Sequence, residues 1–415
     1  MSPKVKAEMS TPVKKAKSPR STAYVEYKNV DPGMETALYY GFTPLSAPLV
    51  VTKEDRERAK SLGYEDRTEP SALVPSLEER VALFRHYDEQ NFDGHAQPIM
   101  LCGELQAGTY GKKRAGDERK LSFEIMGSGK SVAEATLIQT AFATLREEGH
   151  TELTLVLNSV GDRDSMNRFL RELGNYYKKH MALLPQSCKT LLRKNPLDLI
   201  KCTHEKCALL AEGAPKTIGS LGDESRRHFK EVLEFLEELE IPYRIEHGLI
   251  GNRLYATETL FEIRETLPDG GFRVLCSGAR YNGLGKRLGF KREVPSVGMN
   301  LLFPKDAKSA SAKRRILFRK PSIFFLQLGF CAKLKSLRVI EMMRKIGVPL
   351  YQALCRDKLT TQISSAENLR IPYSIILGQR EALENSVIVR NTVSRAQETV
   401  KLQNLAEYFK KMKLG

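Results

Sequence analysis

Residues 273–303 read RVLCSGARYNGLGKRLGFKREVPSVGMNLLF. A short apolar run ends in a glycine-punctuated turn, Gly278-Ala279-Arg280-Tyr281-Asn282-Gly283. A basic loop follows, and a second apolar run begins behind Pro295. Short apolar runs separated by glycine and proline predict a strand, a tight turn, a basic loop, then a second strand or a helix entry.

Outward from this stretch, residues 250–263, 99–105, 121–126 and 153–156 also have strand character. Residues 77–84 place Leu77, Val81 and Phe84 at helical spacing, and residues 131–147 form a second clear helical pattern. Helical periodicity also fills residues 161–245, between two strand-rich blocks. The expected architecture is a sheet domain over residues 23–303 with a helical insertion at about 161–245. Residues 1–22 read as a disordered basic tail and 304–320 as a basic linker. Beyond it, residues 321–415 alternate strand and helix, which predicts a small α/β domain with a mostly parallel sheet.

The chain has 415 residues, 41% hydrophobic and 28% charged, enough for two or three domains with a sizeable core. No run approaches the ~18 apolar residues that cross a bilayer, and no signal-peptide pattern opens the chain. Seven scattered cysteines point to reduced thiols, and a cytoplasmic location is expected. The net charge is +16. Residues 1–20 hold six basic side chains against one acidic, and residues 305–320 hold seven against one. Two basic segments on a nearly neutral body suggest a polyanionic partner held through phosphate contacts.

The order of elements around Gly278–Gly283 resembles the histidyl-tRNA synthetase motif in which Gly-Gly-Arg-Tyr-Asp-Gly-Leu precedes Pro-Ala-Val-Gly-Phe. Other segments fit in sequence. Leu157-Asn158-Ser159-Val160-Gly161, Cys188-Lys189 and Asn195-Pro196-Leu197 are similar to that family's inserted region. Residues 223–229 and Ile241-Pro242-Tyr243 fit it too. Residues 359–366, 371–378 and 387–390 resemble the anticodon-binding domain shared by several class II synthetases. The resemblance covers about residues 30–415. It implies the antiparallel class II sheet with flanking helices, a helical insertion, an appended α/β domain, and a homodimer.

Activating an amino acid requires preorganised cations around the α-phosphate of ATP, usually bidentate arginines. In the resemblance, Glu104, Glu124, Tyr255, Arg280 and Tyr281 match pocket residues of the family. Other positions depart from it. Cys102, Thr109 and Gly111 stand where early-motif arginines are expected, and Gly251 replaces the arginine of the histidine-recognition segment. Lys305 replaces the late-motif arginine and keeps its charge without the planar fork. In the Leu-Arg-Pro-Glu-Gly-Thr segment, Ser76 and Glu78 stand in place of the acid and the threonine. Losing one such donor costs roughly 3 kcal/mol of transition-state stabilisation, so several together predict an inactive synthetic site.

The leading expectation is therefore a histidyl-tRNA synthetase-like protein without aminoacylation activity, binding tRNA or another RNA. Lys308, Lys313, Arg314, Arg315, Arg319 and Lys320 are its candidate RNA contacts. No cofactor is expected, with ATP and magnesium belonging to the alternative of a divergent histidine–tRNA ligase. A second alternative is a regulatory subunit like that of ATP phosphoribosyltransferase. Gly127-Ser128-Gly129-Lys130-Ser131 evokes a phosphate-binding loop, but the full pattern needs glycine where Glu124 stands. Cys202-x-His204-x-x-Cys207, with Cys188 upstream, offers zinc-type ligands. Read as one helical stretch they do not converge, and no metal is expected.

Overall fold

The computed structural model describes residues 23–63, 73–106, 118–200, 202–304, 313–356 and 358–412. Six strands make the antiparallel centre of an eight-stranded sheet. They run in the order Ile99–Gly103, Glu118–Met126, Ser296–Pro304, Phe272–Arg280, Thr257–Thr266 and Leu153–Gly161. Two short parallel strands, Thr43–Pro44 and Tyr243–Ile245, close the edges. The stretch that opens the sequence reading supplies two adjacent central strands, with Cys276 opposite Leu301 and Arg280 opposite Val297. Between them a short helix, Leu284–Arg287, is entered through Gly283 at φ +77°, where glycine carries no steric penalty.

Alternation gives the sheet two faces of different character. On the back, Phe123, Ile125, Val297, Met299 and Leu301 join a core built on the helix Val132–Glu147. On the front, Met126, Ala279 and Tyr281 pack with Leu77, Val81 and Phe84 of the helix Leu77–Glu89. That helix starts where Ser76 accepts from the Glu79 amide and Glu79 returns a bond to the Ser76 amide, a reciprocal cap. Between the strands Leu153–Gly161 and Tyr243–Ile245 the chain inserts four helices: Arg163–Lys179, Gln186–Lys194, Glu205–Glu212 and Asp223–Glu238. The last of these sends Phe229, Val232 and Phe235 into the back core.

The C-terminal domain is a five-stranded sheet with flanking helices, ordered Leu350–Gln352, Ile323–Gln327, Tyr373–Leu377, Ser386–Asn391 and Gln397–Lys401. The first two pairings are parallel and the last two antiparallel, so the expected mostly parallel sheet is only half right. The connections after Leu377 and after Asn391 are too short for the crossover that a parallel pairing needs. This domain docks on the first. Phe330 meets Phe235 edge-on at 5.7 Å, and Tyr40 donates to Glu341 at 2.5 Å.

The expected basic linker is also corrected. Arg314–Arg319 is a strand, paired antiparallel with Tyr24–Val30. Ile316 and Phe318 face inward, and Phe318 packs on Tyr39 at 5.0 Å, while Arg315 and Leu317, before and between them, face outward. The density of lysine and arginine masked a two-residue apolar period. Residues 1–22, 305–312 and 107–117 lie outside the described residues, and with them the expected tail, Lys305, Lys308, Thr109 and Gly111.

Candidate functional site

Glu124 sits on the front face of the central sheet with 1% of its surface exposed. Its strand runs opposite Gly298, where an added Cβ would lie 1.8 Å from the Glu124 carboxylate. Only glycine there lets the side chain lie across the neighbouring strand. The carboxylate accepts from Tyr281 Oη at 2.6 Å, from Ser122 Oγ at 3.0 Å and from Arg80 Nη1. Arg80 projects from the helix Leu77–Glu89, is fully buried, and lies over the Tyr281 ring at 4.4 Å from its centroid. Tyr255 stands edge-on to Tyr281 at 6.4 Å and donates its hydroxyl to the Pro75 carbonyl.

Burial pushes the Glu124 carboxyl up, and Arg80 pulls against it. The guanidinium stays charged in any protein, so an ionised Glu124 is the partner that spares it from being a lone buried cation. Arg80 Nε and Nη2 and Asn300 Oδ1 remain buried without hydrogen-bond partners. Asn300 shares this face, since it pairs with Ser122, while its Nδ2 donates to the Leu73 carbonyl at 3.1 Å.

The structure brings Glu124, Tyr255 and Tyr281 together and sends Arg280 elsewhere. Arg280 and Tyr281 are consecutive, so the strand's alternation places them on opposite faces. Arg280 donates through Nε to Glu134 at 2.5 Å and through Nη2 to the same carboxylate. It also donates to the carbonyls of Ser128, at 2.7 Å, and Lys130, at 3.2 Å. His228 Nε2 lies 2.7 Å from Glu134 on the other side. Burial alone would push the Glu134 carboxyl up, yet Arg280 and then His228 bring it down to about 2. The Gly127–Ser131 turn thus offers carbonyls inward. Its Gly127 and Ser128 amides are committed to the Pro295 carbonyl, unlike a phosphate cradle.

Cys102 also faces backward, opposite Phe123 in the apolar core, so it marks no missing pocket arginine. Burial pushes its thiol well up. Glu104 is apart from Glu124: it pairs with Lys313 at 3.1 Å beside a cleft lined by Val30, Leu45 and Gly103. Gly251 has φ +70°, and an added Cβ would fall 2.0 Å from Leu260 Cδ2. Leu260 fills the space that a side chain at 251 would need.

The basic candidates near residue 315 are engaged with the body of the protein. Arg315 pairs with Glu26 at 2.8 Å and Arg314 with Glu35. Two features escaped the sequence reading. Arg80 falls on the apolar stripe of its own helix, between Leu77 and Phe84, and a charge at such a position signals a buried partner. Cys188, Cys202 and Cys207, expected to stay apart, bring their sulfurs within 4.8 Å of one another. Cys202 precedes the helix Glu205–Glu212, and the turn at Pro196–Leu199 folds the chain back onto Cys188.

Residues 333–412 match the family model described as an anticodon binding domain. A histidine–tRNA ligase of Dehalococcoides mccartyi strain 195 is 28% identical over 362 residues, covering 84% of each chain. One from Halothermothrix orenii is 29% identical over 336 residues, covering 80% of each. The chain is similar to histidine–tRNA ligases over most of its length, and its C-terminal part matches an anticodon binding domain. The apo histidyl-tRNA synthetase of S. aureus superposes with a TM-score of 0.48 at 23% identity, over 91% of this chain and 93% of that one. The matched anticodon-type domain is the five-stranded unit described above, and the front face of the eight-stranded sheet is the candidate pocket. Among the described residues no helix is long and apolar enough to cross a membrane.

Proposed function

We propose that this chain is a histidyl-tRNA synthetase-like protein that binds tRNA through its C-terminal domain and does not activate histidine. The observation that carries the reading is the Arg80 guanidinium on Glu124. An amino acid entering the front pocket brings an ammonium group that needs a carboxylate. Glu124 already accepts from Arg80, Tyr281 and Ser122, and the newcomer would meet the like charge of Arg80. Gly251 supports the same reading: a left-handed backbone closed off by Leu260 leaves no room for an arginine at that position.

Among the described residues, three cations that chemistry at an α-phosphate could use are already engaged. Arg280 faces the back of the sheet on Glu134, and Lys120 is paired with Glu79. Lys313 is paired with Glu104. A stabilising donor works only if it is aimed at the developing charge beforehand.

Histidine-dependent ATP–pyrophosphate exchange tests the proposal. The expected rate equals that of a control without enzyme, while filter binding retains tRNA. Exchange above the control, abolished in Glu124→Gln, overturns it and makes the chain a working ligase.

A further inference from the structure

The helical insertion holds a side-chain cluster that the tRNA reading does not use. Cys188 lies in the helix Gln186–Lys194, Cys207 in the helix Glu205–Glu212, and Cys202 between them. Cys188 and Cys207 are buried and Cys202 is half-buried. The Cys188 and Cys202 sulfurs are 3.7 Å apart, and all three lie within 4.8 Å of one another. Three thiolates at ~2.3 Å from a tetrahedral zinc stand about 3.8 Å from each other, so these separations fit sulfurs around one ion. They are too long for a disulfide, whose sulfurs sit about 2.05 Å apart.

A second observation points into the same spot. Tyr177 is fully buried, its hydroxyl has no hydrogen-bond partner, and it interacts electrostatically with Cys207 and Cys202. A buried hydroxyl without a partner is costly, and a thiolate is the acceptor that would satisfy it.

The surrounding architecture gives an ion something to do. The two cysteine-bearing helices have nine and eight residues, lengths at which a helix is marginal on its own. Leu192, Leu197 and Leu199 join them to the apolar cluster of Phe169 and Leu173. His204, at the start of the second helix, is exposed two residues beyond Cys202. With the three cysteines it would make up a three-cysteine, one-histidine set, a standard structural zinc set.

We propose that Cys188, Cys202, Cys207 and His204 bind one zinc ion that staples the insertion. Binding releases the three thiol protons and leaves His204 neutral, so it strengthens as pH rises. Soft thiolates in tetrahedral geometry select zinc over magnesium or calcium.

The full chain, purified without chelator, is expected to carry one zinc by elemental analysis. After chelation under reducing conditions, titration with cobalt(II) is expected to give a thiolate-to-cobalt charge-transfer band saturating at one equivalent. Cys188→Ser and Cys207→Ser lose both signals, and Cys331→Ser, an exposed cysteine elsewhere, keeps them. His204→Ala, exposed and free of folding demands, weakens zinc affinity by roughly tenfold or more. Because the cysteine variants could misfold, thiol reactivity of the wild type gives an independent reading: three thiols become reactive only when a chelator removes the metal. A chain purified without zinc whose reduced form gives no cobalt band overturns the proposal. So does a native Cys188–Cys202 disulfide, or His204→Ala binding as tightly as wild type. None of these results bears on the tRNA reading, which rests on the sheet and the C-terminal domain.

Discussion

The two faces of the central sheet each bury an arginine–glutamate pair, and the pairs are not built alike. On the back, Arg280 uses Nε and both terminal nitrogens, and Glu134 also meets His228. On the front, Arg80 reaches Glu124 through Nη1 alone and leaves Nε and Nη2 buried without partners. A buried donor left unmade costs about 1–3 kcal/mol, so packing alone would not favour the front arrangement. Unsatisfied polar groups gather where a site has been shaped for function rather than for stability. The back pair ties the glycine turn to the helix behind it. The front pair is a pocket filled from within.

The sharpest way to break that contrast is to cut each pair. Arg280→Met leaves the buried Glu134 carboxylate with His228 alone and removes the donor of the Ser128 and Lys130 carbonyls, and is expected to cost about 3–5 kcal/mol in denaturant unfolding. Arg80→Met is expected to cost less, about 1–3 kcal/mol, because it also removes two buried unpartnered donors and leaves Glu124 accepting from Tyr281 and Ser122. The reverse order would show that the front pair is the architectural one.

Acid separates the two as well. Glu134 is held at about 2 against an ordinary value of 4.5, so its proton is bound less readily in the folded chain. The stability this gives is complete above about pH 4.5 and is lost as pH falls towards 2. Its size is about 3 kcal/mol, from the shift at ~1.4 kcal/mol per unit. Glu134→Gln should therefore unfold with a flatter dependence on pH between 4.5 and 2 than the wild type. Parallel curves would remove Glu134 from the account of acid sensitivity.

Gly251→Ala probes the closed position directly. A left-handed backbone and a Cβ 2.0 Å from Leu260 predict a loss of about 1–3 kcal/mol. The double change with Leu260→Ala should be less costly than the two single losses added together. Strict additivity would mean that Leu260 does not hold the space.

How far these features could be read from sequence depends on whether their causes are local. The central strands around Gly278–Gly283 and Pro295 were legible because glycine, proline and short apolar runs act within a few residues. The front residues Glu124, Tyr255 and Tyr281 were legible through motif resemblance. Arg280 was misplaced because a motif records residues in order, whereas the strand's alternation decides which face each one sees. Arg80 was missed because its partner lies 44 positions away. The cysteines were misjudged because the α-helical run breaks at the short 3-10 helix Pro196–Leu199, and that break, not α-helical spacing, sets their distances.

The smallest effect concerns the basic strand Arg314–Arg319, read from sequence as a free linker. Replacing Lys313, Arg314 and Arg315 by Gln should change thermal stability little, since exposed ion pairs are worth about 0–1 kcal/mol. The informative quantity is the salt dependence of tRNA binding. Three unencumbered cations on phosphates would each contribute about 0.7–0.9 to the log–log slope, so their loss would flatten it by roughly 2–3 units. In the fold all three face carboxylates, Lys313 with Glu104, Arg314 with Glu35 and Arg315 with Glu26. A phosphate must displace a like-charged neighbour to reach them, and the net counterion release per contact is smaller. The expected flattening is therefore under about one unit for the triple variant, measured by filter binding from about 50 to about 200 mM salt. A loss of two units or more would show that RNA pulls these side chains off their carboxylates, and would make this strand part of the RNA-binding surface.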